Sequence, residues 1–438
     1  MSLPVDLLVH PRWLIPVEPE RVALARHSVA VRDGGIVDIL PQAEARARYH
    51  AGTVQELPEH VLIPGLVNLH THAAMSLMRG ISDDLPLARW LNEVIWPAES
   101  RHVSPAFVRD GTRLAIHEML RGGITTCNDM YFFPDEAAAA FAESGMRAIV
   151  GLIVLDFPSA WASDPDDYLR RGLAVRDKWR GHPRVDFAIA PHAPYSVCDA
   201  GLERAACLAA ELDLPIHIHV HETASEVADA LAASGLRPLE RLERAGLLGP
   251  ALTAVHAVHV NEADLARLAR HGCSVAHCPG SNMKLASGIA PLPAMLRHGI
   301  NVGLGSDGAA SNNRLDIFQE MRQAALLAKA ASLDATAAPA HAVLRMATLG
   351  GARALGLDGM IGSLEPGKRA DFCAVALDSP LMQPCFDPIS HLVYACDRGQ
   401  VSHVWIDGEI RVRDGKTLLR INDNELLAFA ALWQTRLV

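Results

Sequence analysis

The 438-residue chain predicts an α/β protein, a (β/α)8 barrel with a β-rich piece at each end. Three observations carry this expectation. Eight short strand-like runs alternate with longer Ala- and Leu-rich stretches, the pattern of repeated β/α units around a parallel sheet. Both chain ends instead carry short strands joined by tight-turn signals. Polar residues, histidines above all, gather where the central runs stop, on the face where a barrel carries its chemistry.

Taken in order, residues 6–8, 28–32 and 36–40 read as strands, the last two joined by Asp33-Gly34-Gly35. Barrel strands are expected at 62–70, 125–129, 147–155, 185–191, 215–221, 253–256, 274–277 and 301–305. Residues 371–377 and 403–406 are short apolar runs, and Asp407-Gly408 leads into 409–412 as a hairpin. The length suits one large barrel with a smaller appendage.

Composition excludes several classes of function. Half of the residues are hydrophobic, yet no stretch approaches the roughly 20 uninterrupted apolar residues of a membrane helix. The N-terminus lacks the basic start, apolar block and small-residue cleavage site of a secretory signal, so a cytoplasmic location is expected. The eight cysteines are scattered, with no C-x-x-C pair, which fits neither a disulfide scaffold nor a zinc ribbon. A formal charge of -10 without a basic stripe makes nucleic acid a poor partner. The 21 histidines are the compositional oddity.

Where those histidines fall points to a metal. Strand side chains alternate with period 2, so His70 and His72 at the end of the first run project to one side and can share an ion. An H-x-H pair is a weak signal by itself, and two buried polar histidines would look the same. The fifth run places His217, His219 and His221 on one face, with Glu222 just beyond; the spacing leaves open which of the three binds. Asp307 follows Gly303-Leu304-Gly305-Ser306 at the end of the eighth run, as a ligand, a base or an Asx turn. His192 and His256 end runs four and six. Jointly, imidazoles and a carboxylate at separate strand ends make a nitrogen-rich donor set that suits Zn2+ with a water position left open.

The segment Pro64-Gly65-Leu66-Val67-Asn68-Leu69-His70-Thr71-His72 resembles the opening motif of the amidohydrolase superfamily. Residues 72–90 (HAAMSLMRGISDDLPLARW) are similar to its S-adenosylhomocysteine/5'-methylthioadenosine deaminase branch. Further matches run in order along the chain: WPAE at 96–99, GGITTCNDMY at 122–131, APHAPY at 190–195, HVHET at 219–223, HCPGSNMKLASGIAP at 277–291, GSDGAASNN at 305–313 and GSLEPGKRAD at 362–371. The resemblance implies that His70, His72, His219 and Asp307 are metal ligands. Glu99, His192 and Glu222 would contact the purine or ribose, with Asp307 beside them, and His256 would assist at the attacking water. His217 and His221 are left as core or supporting residues. One Zn2+ per chain is implied, with Fe2+ or Mn2+ as other divalent choices. The two-metal members of the superfamily carry a carbamylated lysine at the end of strand four, and 185–192 contains no lysine. The resemblance also implies a composite β-sandwich of 1–61 and 367–438, a barrel over 62–366, and a homo-oligomer.

The expected reaction is hydrolytic deamination of a purine nucleoside, a small-molecule substrate, with Glu222, His256 and Asp307 as the catalytic proton carriers. Relatives that accept S-adenosylhomocysteine well resemble one another in carrying arginines in and just after the third strand. Residues 148–169 here contain no arginine or lysine, while Asp156, Asp164, Asp166 and Asp167 would repel a carboxylate. The sequence therefore predicts 5'-methylthioadenosine as the better substrate, with adenosine also accepted and Met75, Leu87, Trp90 and Met130 lining the pocket. Competing readings are a guanine or 8-oxoguanine deaminase, a triazine hydrolase on the same site, and a non-catalytic barrel protein. The last is disfavoured because every expected ligand is present.

Overall fold

A computed structural model describes residues 2–437. Eight parallel strands form the barrel: Leu66–Thr71, Ile124–Tyr131, Arg147–Val154, Val185–Pro191, Ile216–Val220, Leu252–His256, Ser274–His277 and Asn301–Leu304. Each pairs with the next in chain order. Helices cover the outside, so these strands are buried on both faces and read as near-continuous apolar runs; Arg147–Val154 is buried throughout.

The ring closes between its last and first strands through residues at the barrel mouth. The Asp307 N–H donates to the His70 carbonyl at 3.0 Å. Asn68 Nδ2 donates to Ser306 Oγ at 2.7 Å, and the Ser306 N–H returns a bond to Asn68 Oδ1 at 2.9 Å. Glycine is required at 305 by close approach, since a Cβ there would lie 2.8 Å from the His70 Cβ. Closure thus sets two candidate ligands side by side.

Both chain ends enter one nine-stranded mixed sheet, ordered Lys416–Thr417, Glu409–Arg413, Val401–Ile406, Phe372–Ala376, Tyr49–Pro64, Leu3–Leu14, His27–Arg32 and Gly35–Pro41, with Leu24–Ala25 paired to Leu3–Leu14. It curls around its own core of Val9, Val29, Ile36, Leu62, Phe372 and Trp405. Residues 62–64, expected in the first barrel strand, pair instead with 372–374 in this sheet. One apolar run crosses both sheets, and periodicity alone gives no sign of the break at Gly65. The first two-thirds of Tyr49–Pro64 is largely exposed or half-buried and mixes polar residues with glycine and proline, which is why it carries no strand signal. The C-terminal tail is not all sheet either. Helix Asp423–Leu437 leaves it to pack on barrel helix Pro105–Arg121, where Trp433 meets Phe107 edge-on and donates to Asp110 Oδ2 at 2.9 Å.

Beyond the first barrel strand the chain arches over the mouth through short helical turns, Ala73–Met78, Leu87–Arg89, Trp90–Ile95 and Trp96–His102. It re-enters the barrel wall at helix Pro105–Arg121, started by the Ser104 cap on the Phe107 N–H and by proline at its first position. No described helix is long and apolar enough to cross a membrane.

Candidate active site

His70 and His72 leave the first strand on one side, as the period-2 spacing requires. Their Nε2 atoms each lie 3.2 Å from Asp307 Oδ1, and His219 Nε2, from strand five, lies 3.2 Å from His70 Nε2. The far ring nitrogens are held from behind. His72 Nδ1 donates to the Met130 carbonyl at 2.6 Å, and His219 Nδ1 donates to the His192 carbonyl at 2.7 Å. A carbonyl only accepts, so both rings carry a proton on Nδ1 and leave Nε2 as the atom that faces the centre. His70 Nδ1 is tied to His217 Nε2 at 2.9 Å, which makes His217 the support of a candidate ligand.

Electrostatics agree with that reading of the donors. Burial and the neighbouring imidazoles push His219 well below the usual histidine range, so it is neutral, the form that ligates. Burial would raise Asp307, but the adjoining His70 and His72 outweigh it and hold the carboxyl well below its ordinary value, while Asp307 lifts His72 to about 9 against burial. Both shifts say that the carboxylate and the ring hold together only with a positive charge, a proton or a metal ion, between them. Lone pairs and a carboxylate converging in a buried space repel one another unless a cation sits among them. The donor set fits a divalent metal ion.

His256 ends strand six with its ring stacked 5.6 Å from His219, and its Nε2 is 3.7 Å from Glu222 Oε2. Its Nδ1 meets Asn282 Oδ1 at 2.9 Å. Burial raises the Glu222 carboxyl, favouring the protonated form that can donate. Glu99, on the arch, accepts from Tyr131 at 2.7 Å and is pushed up to about 7 by burial. His192 is fixed by Ser196 at 2.9 Å and driven down to about 3 by burial and by the neighbouring imidazoles of His72 and His70. Three non-glycine residues at the strand ends, His221, His256 and Asp307, sit in the left-handed region at φ 56°, 71° and 57°. Strain of that kind persists only where the surroundings over-determine it.

The structure brings Glu99, His192, Glu222, His256, Asp307, His72 and His219 together on the wall of one cavity of about 410 Å3, with His70 fully buried just beneath. Met75, Leu87, Trp90 and Met130 line it as expected. His221 turns away, toward the His259 carbonyl and the Leu239 N–H. The four aspartates expected to repel a carboxylate do not line the cavity. Asp164 caps helix Pro165–Trp179, and Asp167 pairs with Arg170 and Arg171. The 277–291 motif by itself gives no role to Ser281, which donates to Asp307 Oδ2 at 2.6 Å, or to Asn282, which meets His256. Serine and asparagine after a strand look like ordinary turn residues until the fold sets them against another strand's end.

The pattern of the amidohydrolase family matches residues 61–411. The chain is 45% identical to the 5-methylthioadenosine/S-adenosylhomocysteine deaminase of Saccharophagus degradans, over 99% of this chain and 97% of that one. Among solved structures it is similar to a zinc-bound adenosine deaminase from Xanthomonas campestris, 49% identical with a TM-score of 0.98, over 100% of this chain and 99% of that one. The atrazine chlorohydrolase of Arthrobacter aurescens shares the fold at 23% identity and a TM-score of 0.91, over 98% and 99% of the two chains. With a family pattern spanning most of its length and a relative this similar from end to end, the chain belongs to the amidohydrolase family, as one of its metal-dependent hydrolytic deaminases.

Proposed function

We propose that the protein converts 5'-methylthioadenosine to its hypoxanthine counterpart with release of ammonia, using one Zn2+ per chain held by His70, His72, His219 and Asp307. The cavity wall carries the choice of substrate: among the described residues that line it, none is arginine or lysine. Leu87, Trp90, Leu91, Ile95, Met130 and Phe157 give the same wall an apolar surface. A neutral thioether suits that surface. The amino-acid tail of S-adenosylhomocysteine would lose its water there without a cation to meet its carboxylate.

When bound, the divalent ion acts as a Lewis acid that makes hydroxide available near neutral pH. Asp307 and His256 take the proton of the attacking water as its oxygen adds to C6 of adenine. Glu222 gives its proton to N1. As the C6–N bond breaks, the proton taken from the water passes through His256 to the departing amino group, which leaves as ammonia, and the C6 hydroxyl proton goes to the Glu222 carboxylate as the C6 carbonyl forms, which restores the protonated Glu222. Glu99 and His192 hold the ribose and purine in place.

A lost charge-assisted hydrogen bond costs about 1.5–3 kcal/mol, so kcat/KM for S-adenosylhomocysteine should be roughly 10- to 100-fold below that for 5'-methylthioadenosine. Ammonia release by one zinc-loaded preparation measures both, with adenosine, guanine and 8-oxoguanine run alongside and chloride release followed for a chloro-triazine. Equal values, or a preference for S-adenosylhomocysteine, would overturn the substrate choice; turnover of guanine or triazine alone would overturn the purine nucleoside.

A further inference from the structure

Glu222 has few side-chain contacts to aim it. Its Oε1 meets Ser287 Oγ only at 3.5 Å, and its Oε2 stands 3.7 Å from His256. The backbone beneath it is held far more tightly. Glu226 is buried, and its carboxylate accepts the N–H of His221 on Oε1 at 2.9 Å and the N–H of Glu222 on Oε2 at 2.7 Å. These two successive donors flank the left-handed His221, where strand five breaks off and turns toward the cavity.

Ordinary helix capping does not account for this contact. Helix Ala224–Ser234 is capped by Thr223, whose hydroxyl accepts the Glu226 N–H at 3.1 Å. In a reciprocal capping box, Glu226 would return a bond to the N–H of Thr223. It reaches past the cap instead, to the two N–H groups that set where Glu222 leaves the main chain.

We infer that Glu226 is a positioning residue for the reaction: its two-oxygen grip on the backbone of His221 and Glu222 aims the Glu222 carboxyl at the purine ring. This rests on Glu222 being the proton donor. Glutamine at 226 keeps the size but presents an NH2 where one oxygen accepted, so one N–H faces a donor and the Glu222 backbone loosens.

The test compares Glu226→Gln, Glu222→Gln and the double variant, each checked for zinc content and thermal unfolding, with 5'-methylthioadenosine as substrate. Glu226→Gln should keep its zinc and lose roughly 10- to 100-fold in kcat, with KM changed less than about threefold. Added to Glu222→Gln it should cost nothing further, because a residue acting only through Glu222 has nothing left to aim. Thr223→Ala should lower the unfolding temperature and leave kcat near wild type, which separates loss of the helix cap from loss of aim. If Glu226→Gln does not fold, Glu226→Asp makes the same comparison, its shorter carboxylate reaching one N–H. Wild-type kcat in Glu226→Gln, or a loss that multiplies with that of Glu222→Gln, overturns the inference. Full turnover in Glu222→Gln overturns the proton-donor reading instead, and a wild type that releases no ammonia overturns the substrate.

Discussion

The two ends of the barrel both bury charge, and they neutralise it in opposite ways. At the end where strand three begins, Arg147 is buried and grips Asp371 at 3.0 Å through Nε and Asp407 at 3.0 Å through Nη2. Arg184 and Arg369 complete the partners of Asp407. Every carboxylate there faces a guanidinium, and the network fastens the barrel to the outer sheet. At the mouth, Asp307, Glu222 and Glu99 share a cavity with imidazoles and, among the described residues, no arginine or lysine. Buried charges that satisfy one another serve the fold, whereas metal-type donors that converge with no arginine or lysine among them are arranged for something the chain must bind.

The sharpest way to break this contrast is to remove a donor at the mouth. His219→Ala should lose metal and activity together while the barrel still folds, as elemental analysis and far-UV circular dichroism on one sample would show. Full activity after exhaustive chelation, or two ions per active chain, would end the one-metal reading. Glu222→Gln should keep its metal and lose about 10²- to 10⁴-fold in kcat, the usual worth of a placed proton donor. Metal content is the control that separates the two variants.

At the opposite end the effect should move from activity to stability. Arg147→Met leaves Asp371 and Asp407 short of a partner in a buried place and should cost about 3–5 kcal/mol in denaturant unfolding. The kcat of the folded fraction should stay near wild type. A large fall in kcat at unchanged stability would mean that the two ends are not separable.

The surface supplies the smallest effect. Glu243 is held down at about 2 by Arg267 first, and then by His271 and Arg270. A carboxyl lowered from its ordinary 4.5 stabilises the fold above that pH and loses the contribution as pH falls toward 2. Glu243→Gln should therefore remove under about 1 kcal/mol at neutral pH and leave a shallower loss of stability across the acid range, read from unfolding midpoints at pH 7, 4 and 3.

The sequence by itself determined the elements and the kinds of donor. Apolar runs of strand length gave the barrel, period 2 put His70 and His72 on one side, and the strand-end pattern singled out His192, His256 and Asp307. These are local properties, fixed by residue size, polarity and alternation. What lay within one apolar run was not legible: residues 62–64 belong to the outer sheet because of a partner strand 310 residues further on. Tertiary structure also sorted the three histidines of strand five. His217 supports His70, His219 faces the centre, and a left-handed turn removes His221, an outcome decided by packing and by the Glu226 carboxylate rather than by spacing. The lack of arginine and lysine in 148–169 could be read from the chain, but whether a cation reaches the cavity from elsewhere in the same chain is a question of distance in space. Only the folded barrel, which sends Asp164 and Asp167 to the surface and lines the wall with Leu87, Trp90 and Phe157, answers it.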